Sequence, residues 1–116
     1  MIDIHTHLHP PGLSRAIRKW FAENSTWNIR FSTEPDSVAS SLKAAGVTKF
    51  VFCSYAHKPG IAKEINEWLL KTASDLDHFG VPLATVHPED SDYDEYYDAA
   101  GRSESRKFWI DIQGSQ

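Results

Sequence analysis

The sequence MIDIHTHLHP, at residues 1–10, is the stretch that best predicts how the chain begins to fold. Apolar Ile2 and Ile4 alternate with polar residues, which is the two-residue period of a half-buried β-strand. Pro10 then removes a backbone donor and ends any pairing with a neighbouring strand. We therefore expect a short strand near residues 1–5 that runs on into the histidine-rich segment.

The rest of the chain alternates between helical and strand patterns. Apolar spacing predicts helices near 13–23, 33–45 and 60–79, and short apolar runs predict strands near 49–54 and 82–87. Thr33 is expected to cap the second helix, while Gly46 and Gly80 are expected to end the second and third helices. A last helix near 92–100 and a fourth strand near 107–112 would complete the pattern. The order βαβαβα(β) predicts an α/β fold with a parallel sheet.

Length and composition exclude several classes of protein. The 116 residues suit one domain but are fewer than half of the roughly 250 in a closed (β/α)₈ barrel. A net charge of −4 with no basic stripe gives no support for nucleic-acid binding. No apolar run approaches the roughly 20 residues that cross a bilayer, so no membrane association is expected. One cysteine excludes an internal disulfide and suits the cytoplasm.

His5 and His7 stand two residues apart at the carboxyl end of the first predicted strand. In parallel α/β folds, that end of the strands carries the active site. Two imidazoles that project together could bind one Zn²⁺ ion through neutral ring nitrogens. Asp3 lies two residues before His5, so its side chain is expected on the same face of the strand, beneath the two imidazoles. There it could accept a hydrogen bond that orients an imidazole. The alternative is a pair of solvated histidines at a strand end.

Three further histidines follow predicted strands and could line a substrate pocket, namely His9, His57 and His87. For His9, which lies in a loop before two prolines, the alternative is a solvated side chain. His87 could instead cap the turn before Pro88. The single cysteine, Cys53, lies within an apolar strand, which favours packing over metal ligation.

Five segments together share their pattern with one group of enzymes. They are Ile2-Asp3-Ile4-His5-Thr6-His7-Leu8-His9-Pro10, Ala44-Ala45-Gly46-Val47, Lys58-Pro59-Gly60, Asn66-Glu67-Trp68 and His87-Pro88-Glu89-Asp90. The pattern resembles the amidohydrolase superfamily, and more closely the branch known as amidohydrolase family 2 or TIM-barrel metal-dependent hydrolases. The resemblance covers residues 1–100 and is strongest in the first ten.

The resemblance implies that residues 1–100 are the N-terminal half of a (β/α)₈ TIM barrel that holds one or two divalent metal ions, most often zinc. In that family, the two histidines of the first strand are ligands, and here they are His5 and His7. Later strands supply the remaining ligands and an aspartate base, and metal-activated water attacks a small-molecule substrate. The implied function is that of a truncated metal-dependent hydrolase, and this chain alone is expected to be inactive.

Residues 101–116 form an atypical tail, because the family pattern calls there for a fourth strand rich in Gly, Lys and His. A shifted reading frame and a foreign tail are the two explanations left open. A barrel cut near its middle exposes sheet edges, and such edges are templates for another chain. We therefore expect a homo-oligomer formed through exposed sheet edges. The alternative function is a catalytically inactive half-barrel that self-associates, with or without bound metal.

Overall fold

The computed structural model describes residues 1–91, which form an α/β unit with a three-stranded parallel sheet and three helices. The elements follow one another as β1 (Ile2–His7), α1 (Pro11–Asn24), α2 (Pro35–Ala44), β2 (Lys49–Cys53), α3 (Ala62–Asp75) and β3 (Gly80–Pro82). The strands lie in the order β1-β2-β3, and both pairs are parallel. The predicted parallel α/β arrangement is confirmed, whereas the predicted elements at 92–100 and 107–112 lie outside the described residues.

The core lies between the sheet and the helices and is centred on β2. Phe50 and Phe52 are both 0% exposed, because β2 is the central strand and has a neighbour on each side. Leu69 of α3 and Leu8, just after β1, are also fully buried in the same cluster. Among the described residues, no helix is both long and apolar enough to cross a membrane.

Helix α2 ends as the sequence predicts but begins differently. Gly46 has a left-handed backbone (φ 86°), and the N–H groups of Gly46 and Val47 donate to the carbonyls of Lys43 and Leu42. This is the Schellman ending, which satisfies carbonyls that the helix leaves unpaired. The expected cap by Thr33 is wrong. The capping position is Glu34, no side chain caps the helix, and Pro35 starts it.

Helix α3 ends earlier than expected, and Gly80 has another role. The helix stops at Asp75, and Asp77 takes the left-handed position (φ 52°) that glycine usually fills. Gly80 is instead the first residue of β3. A Cβ atom there would lie 2.6 Å from Cζ of Phe50. The lack of a side chain at this position therefore lets β3 approach the core rings of β2.

The third strand, Gly80–Pro82, begins and ends earlier than the predicted 82–87. The Leu83 N–H still donates to the Phe52 carbonyl of β2 at 2.9 Å, but the segment beyond Leu83 bonds elsewhere. The Asn66 amide holds both backbone groups of Thr85. Its Nδ2 donates to the Thr85 carbonyl at 2.9 Å, and its Oδ1 accepts the Thr85 N–H at 2.8 Å. The Thr85 hydroxyl in turn accepts the N–H of Ala56. A side chain of α3 therefore takes the place of a strand partner for this segment.

Candidate metal centre

His5 and His7 converge at the carboxyl end of β1. Their Nε2 atoms lie 3.1 Å apart, and the two rings meet edge to face at an interplanar angle of 75°. Both side chains are exposed. The structure therefore brings together the two imidazoles that the sequence singles out, with their Nε2 atoms at hydrogen-bond distance from each other near the surface.

Strand β1 is irregular just before this pair. Asp3 is in register with Phe50 and Thr6 with Phe52, so β1 uses one more residue than β2 over the same length. Such a bulge reverses the alternation of faces. The regular alternation behind the face predicted for Asp3 is therefore interrupted in β1, and Asp3 nevertheless lines one cleft together with His5 and His7. The Asp3 carboxylate instead accepts the backbone N–H of His5 at 3.0 Å, which fixes the bulged segment, and its proposed bond to an imidazole stays a prediction.

The other nitrogen of His7 faces a thiol. Nδ1 of His7 lies 3.3 Å from Sγ of Cys53, the last residue of β2 and the partner of His7 in the sheet. Burial raises the pKa of Cys53 to about 11, so the sulfur keeps its proton at neutral pH. Cys53 is buried, as expected for a packing residue. It also contacts the ring of a candidate ligand and holds it in place, a role the sequence does not reveal.

His9 lies behind this pair and is not a solvated loop residue. Its Nδ1 is 2.7 Å from the hydroxyl of buried Ser54. Its ring stacks on His7, with centroids 6.0 Å apart, and tilts against Tyr55. The side chains that follow β1 and β2 thus form one cluster around the histidines.

The environment keeps His7 and His9 neutral. His7 as a whole is exposed, but partial burial of its ring lowers its pKa, and the neighbouring charge of His5 lowers it further, while a bond to the Cys53 backbone opposes this. Burial, together with His7, lowers the pKa of His9 to about 4. Neutral imidazole is the form that binds a metal ion, because a protonated ring has no free lone pair.

His57 and His87 are not part of this cluster. His57 is exposed and lines a different cleft, of about 660 Å³, between α1 and α3. His87 lies in a turn, where its Nδ1 accepts the N–H of Glu89 and its carbonyl accepts that of Asp90. A substrate contact from either side chain stays a prediction.

An open cleft of about 490 Å³ lies beside the two converging imidazoles. It is lined on one side by β1, including His5 and His7, and on the other by α2 and the residues before it. The sequence did not predict these lining residues, which are Phe31, Ser32, Ser37, Val38, Ser41 and Leu42. Ser37 and Ser41 lie four residues apart and therefore on the same face of α2. This pair of small polar residues was the only feature of the sequence that could have indicated the cleft.

The distance between the two Nε2 atoms fits a shared metal ion. Nitrogens about 2.0–2.1 Å from one zinc and 3.1 Å from each other subtend about 100°, close to the tetrahedral angle of about 109°. Within residues 1–91, however, no group of three His, Cys, Asp or Glu side chains is placed to hold an ion. The described residues therefore bring together two candidate ligands, fewer than the three or four that a protein zinc site uses.

Comparisons with protein-family models, with curated proteins and with solved structures find no match to this chain.

Proposed function

We propose that this chain is the N-terminal part of a metal-dependent hydrolase of the amidohydrolase kind, with His5 and His7 as its first two ligands. The observation that carries the proposal is the 3.1 Å separation of the two Nε2 atoms at the carboxyl end of a parallel strand. The strand, helix, strand order supports an origin in the first half of a (β/α)₈ barrel, in which that end holds the active site.

The ion we propose is Zn²⁺, which would lower the pKa of a bound water molecule and polarise a substrate. The chain's own contribution is to present two neutral imidazoles. For His7 to bind the ion through Nε2, its ring proton has to sit on Nδ1, facing the Cys53 sulfur. The adjacent cleft of about 490 Å³ is of a size that takes a small-molecule substrate. The single buried thiol supports a cytoplasmic location.

Metal binding is the direct test of the proposal. Purified, chelator-treated protein is titrated with Zn²⁺, and bound metal is measured by equilibrium dialysis. We expect stoichiometric uptake, and the His5→Ala/His7→Ala double variant should lose it. His57→Ala is the matched control, because it removes an imidazole from a different cleft. Unchanged uptake in the double variant would rule the pair out as ligands.

Activity of this chain alone should be negligible. Residues 1–91 supply two ligands and no third, and catalytic groups that act as a unit do not contribute independently. A panel of ester, amide and lactone substrates, with and without chelator, measures this. Metal-dependent turnover that survives repurification and is absent from the double variant would show instead that the chain is a complete catalyst.

A second candidate function is a catalytically inactive half-barrel that self-associates. The exposed apolar residues of β1 favour it, since Ile2 and Ile4 are 64% and 74% exposed. Contiguous apolar surface of this kind often marks an interaction site. Light scattering over a concentration series tests it, and a monomer at high micromolar concentration would contradict it.

A further inference from the structure

A smaller cleft, of about 240 Å³, adjoins the histidine cluster at His9. It is lined on one side by α1 and on the other by the segment from Thr33 to Pro35, where α2 begins. Pockets that hold drug-sized ligands have volumes of roughly 300–1,000 Å³. The cleft is therefore of a size that takes one chemical group of a ligand or a small ion.

The side chains of this cleft carry a positive charge, although the whole chain carries −4. Arg15 and Arg18 line it together with one carboxylate, that of Glu34, so the fixed charges sum to +1. The two ion pairs that form within residues 1–91 involve other side chains, so no carboxylate of that part neutralises either arginine. By contrast, the described lining of the cleft beside the converging imidazoles includes no lysine or arginine.

The two arginines are arranged to act together. They stand three residues apart on α1 and therefore project from the same side of the helix. Arg18 is also fixed in direction, because its Nη2 donates to the carbonyls of Ile29 and Phe31 at 2.9 and 3.1 Å. A guanidinium has five N–H donors in a planar fork, so those on Nε and Nη1 are not used by these two bonds. A group held in this way loses little freedom when it binds an anion.

We propose that this cleft binds the carboxylate or phosphate group of a small molecule through charge-assisted hydrogen bonds from Arg15 and Arg18. Both groups present pairs of oxygens that match the guanidinium fork. Glu34 lines the same cleft, so its own carboxylate should weaken the binding of an anion. The site uses neither His5 nor His7 and needs no metal ion, so it is separate from the ligands proposed for zinc.

The acidic side chains of residues 92–116 are a competing source of a carboxylate for this cleft. The test therefore uses the full chain, in which a cleft already filled by the chain's own carboxylate would take up no free anion. The chain is stripped of metal with a chelator that is then removed by dialysis. The probes are inorganic phosphate and acetate, each added at low ionic strength and followed by the amide shifts of ¹⁵N-labelled protein.

We expect saturable shifts at the amides that line the cleft. Arg15→Gln should weaken phosphate binding roughly tenfold or more, because it removes a charged donor. Lys19→Gln is the matched control, since it removes the same charge from α1 at a residue that pairs with Glu23 and does not line the cleft. Its affinity for phosphate should stay within about twofold of that of the parent.

Two further variants change the cleft from its other side. Glu34→Gln removes the nearby negative charge and should strengthen phosphate binding about two- to fivefold. Arg18→Gln should weaken it. Because Arg18 also bonds the segment before α2, circular dichroism checks that this variant is folded, and Arg15→Gln tests the proposal without that complication.

Absence of saturable binding of both anions to the full chain overturns the proposal. Equal weakening by Lys19→Gln and Arg15→Gln overturns it too, because the anions would then respond to the general charge of α1. The His5→Ala/His7→Ala variant should bind phosphate as the parent does, whatever its uptake of Zn²⁺, so the anion site and the proposed metal site stand or fail independently. Loss of phosphate binding in that variant would place the anion at the histidines and contradict the proposal.

Discussion

The helix-covered side of the sheet and the outer edge at β1 use similar apolar residues in opposite ways. Phe50 and Phe52 on β2 are 0% exposed, whereas Ile2 and Ile4 on β1 are 64% and 74% exposed. All four lie in strands with a period of two. The position of a strand in the sheet therefore decides how far its apolar residues are buried. Strand β2 has a strand on each side and helices above it, whereas β1 has one strand neighbour in the described chain.

The largest expected effect contrasts the two regions directly. Phe52→Ala removes a fully buried ring and should lower the free energy of unfolding by about 3–5 kcal/mol. Ile4→Ala removes an exposed side chain and should change it by less than about 0.5 kcal/mol. Urea unfolding of both variants measures this. Equal losses would show that β1 is covered in solution, which would break the comparison.

The next effect concerns the segment that follows β3, which a helix side chain holds in place. Asn66→Leu leaves the Thr85 N–H and carbonyl without their partners, and we expect a loss of about 2–4 kcal/mol. Glu67→Leu, an exposed neighbour on α3, is the control and should be near neutral. Hydrogen exchange at the Thr85 amide should accelerate in Asn66→Leu alone. Unchanged protection would show that Asn66 does not hold this segment in place.

Gly80 tests how tightly β3 packs on the covered side. Gly80→Ala places a Cβ atom 2.6 Å from Phe50 and 2.8 Å from Phe52, and this overpacking should cost about 1–3 kcal/mol. Gly12→Ala is the matched control, because the nearest atom is Arg15 at 3.9 Å and alanine favours α1 by up to about 1 kcal/mol. A stabilised Gly80→Ala would mean that the rings move aside freely.

The smallest expected effect is a pH dependence confined to the histidine side. The pKa of His9 is lowered to about 4 from 6.5, so the unfolded chain binds more protons than the folded one between these values. Stability from His9 is therefore full above about pH 6.5 and falls as the pH drops toward about 4. After allowance for solvent screening, we expect about 1–2 kcal/mol.

Thermal unfolding across this pH range checks the effect. His9→Phe keeps an aromatic ring against Tyr55 but cannot bind a proton, so its stability should fall less between pH 6.5 and 4 than that of the parent. Identical pH profiles would show that His9 takes up its proton as easily in the folded chain as in the unfolded one.

Much of the candidate site could be read from the chain, because the relevant signals are local. The parallel strand order follows from alternating patterns, and the even spacing of His5 and His7 predicted a shared face. The bulge in β1 could not be predicted, because it depends on how two strands align and leaves no mark in the sequence of either strand alone. The contacts of Cys53 and Ser54 with the histidines were equally out of reach, because they join residues about 45 positions apart.

By itself, the sequence determined the fold class, the approximate positions of α1, α2 and α3, and the candidate metal-binding residues, since hydrophobic period, proline and glycine act over a few residues. Only the tertiary structure decided the rest. In the folded chain, β2 is the central strand. Gly80, predicted to end a helix, instead packs against the rings of Phe50 and Phe52, and the Asn66 side chain bonds the segment that follows β3. The tertiary structure also brought two imidazole nitrogens to 3.1 Å. These outcomes depend on which distant segments meet, and that is set by packing the whole chain around Phe50 and Phe52.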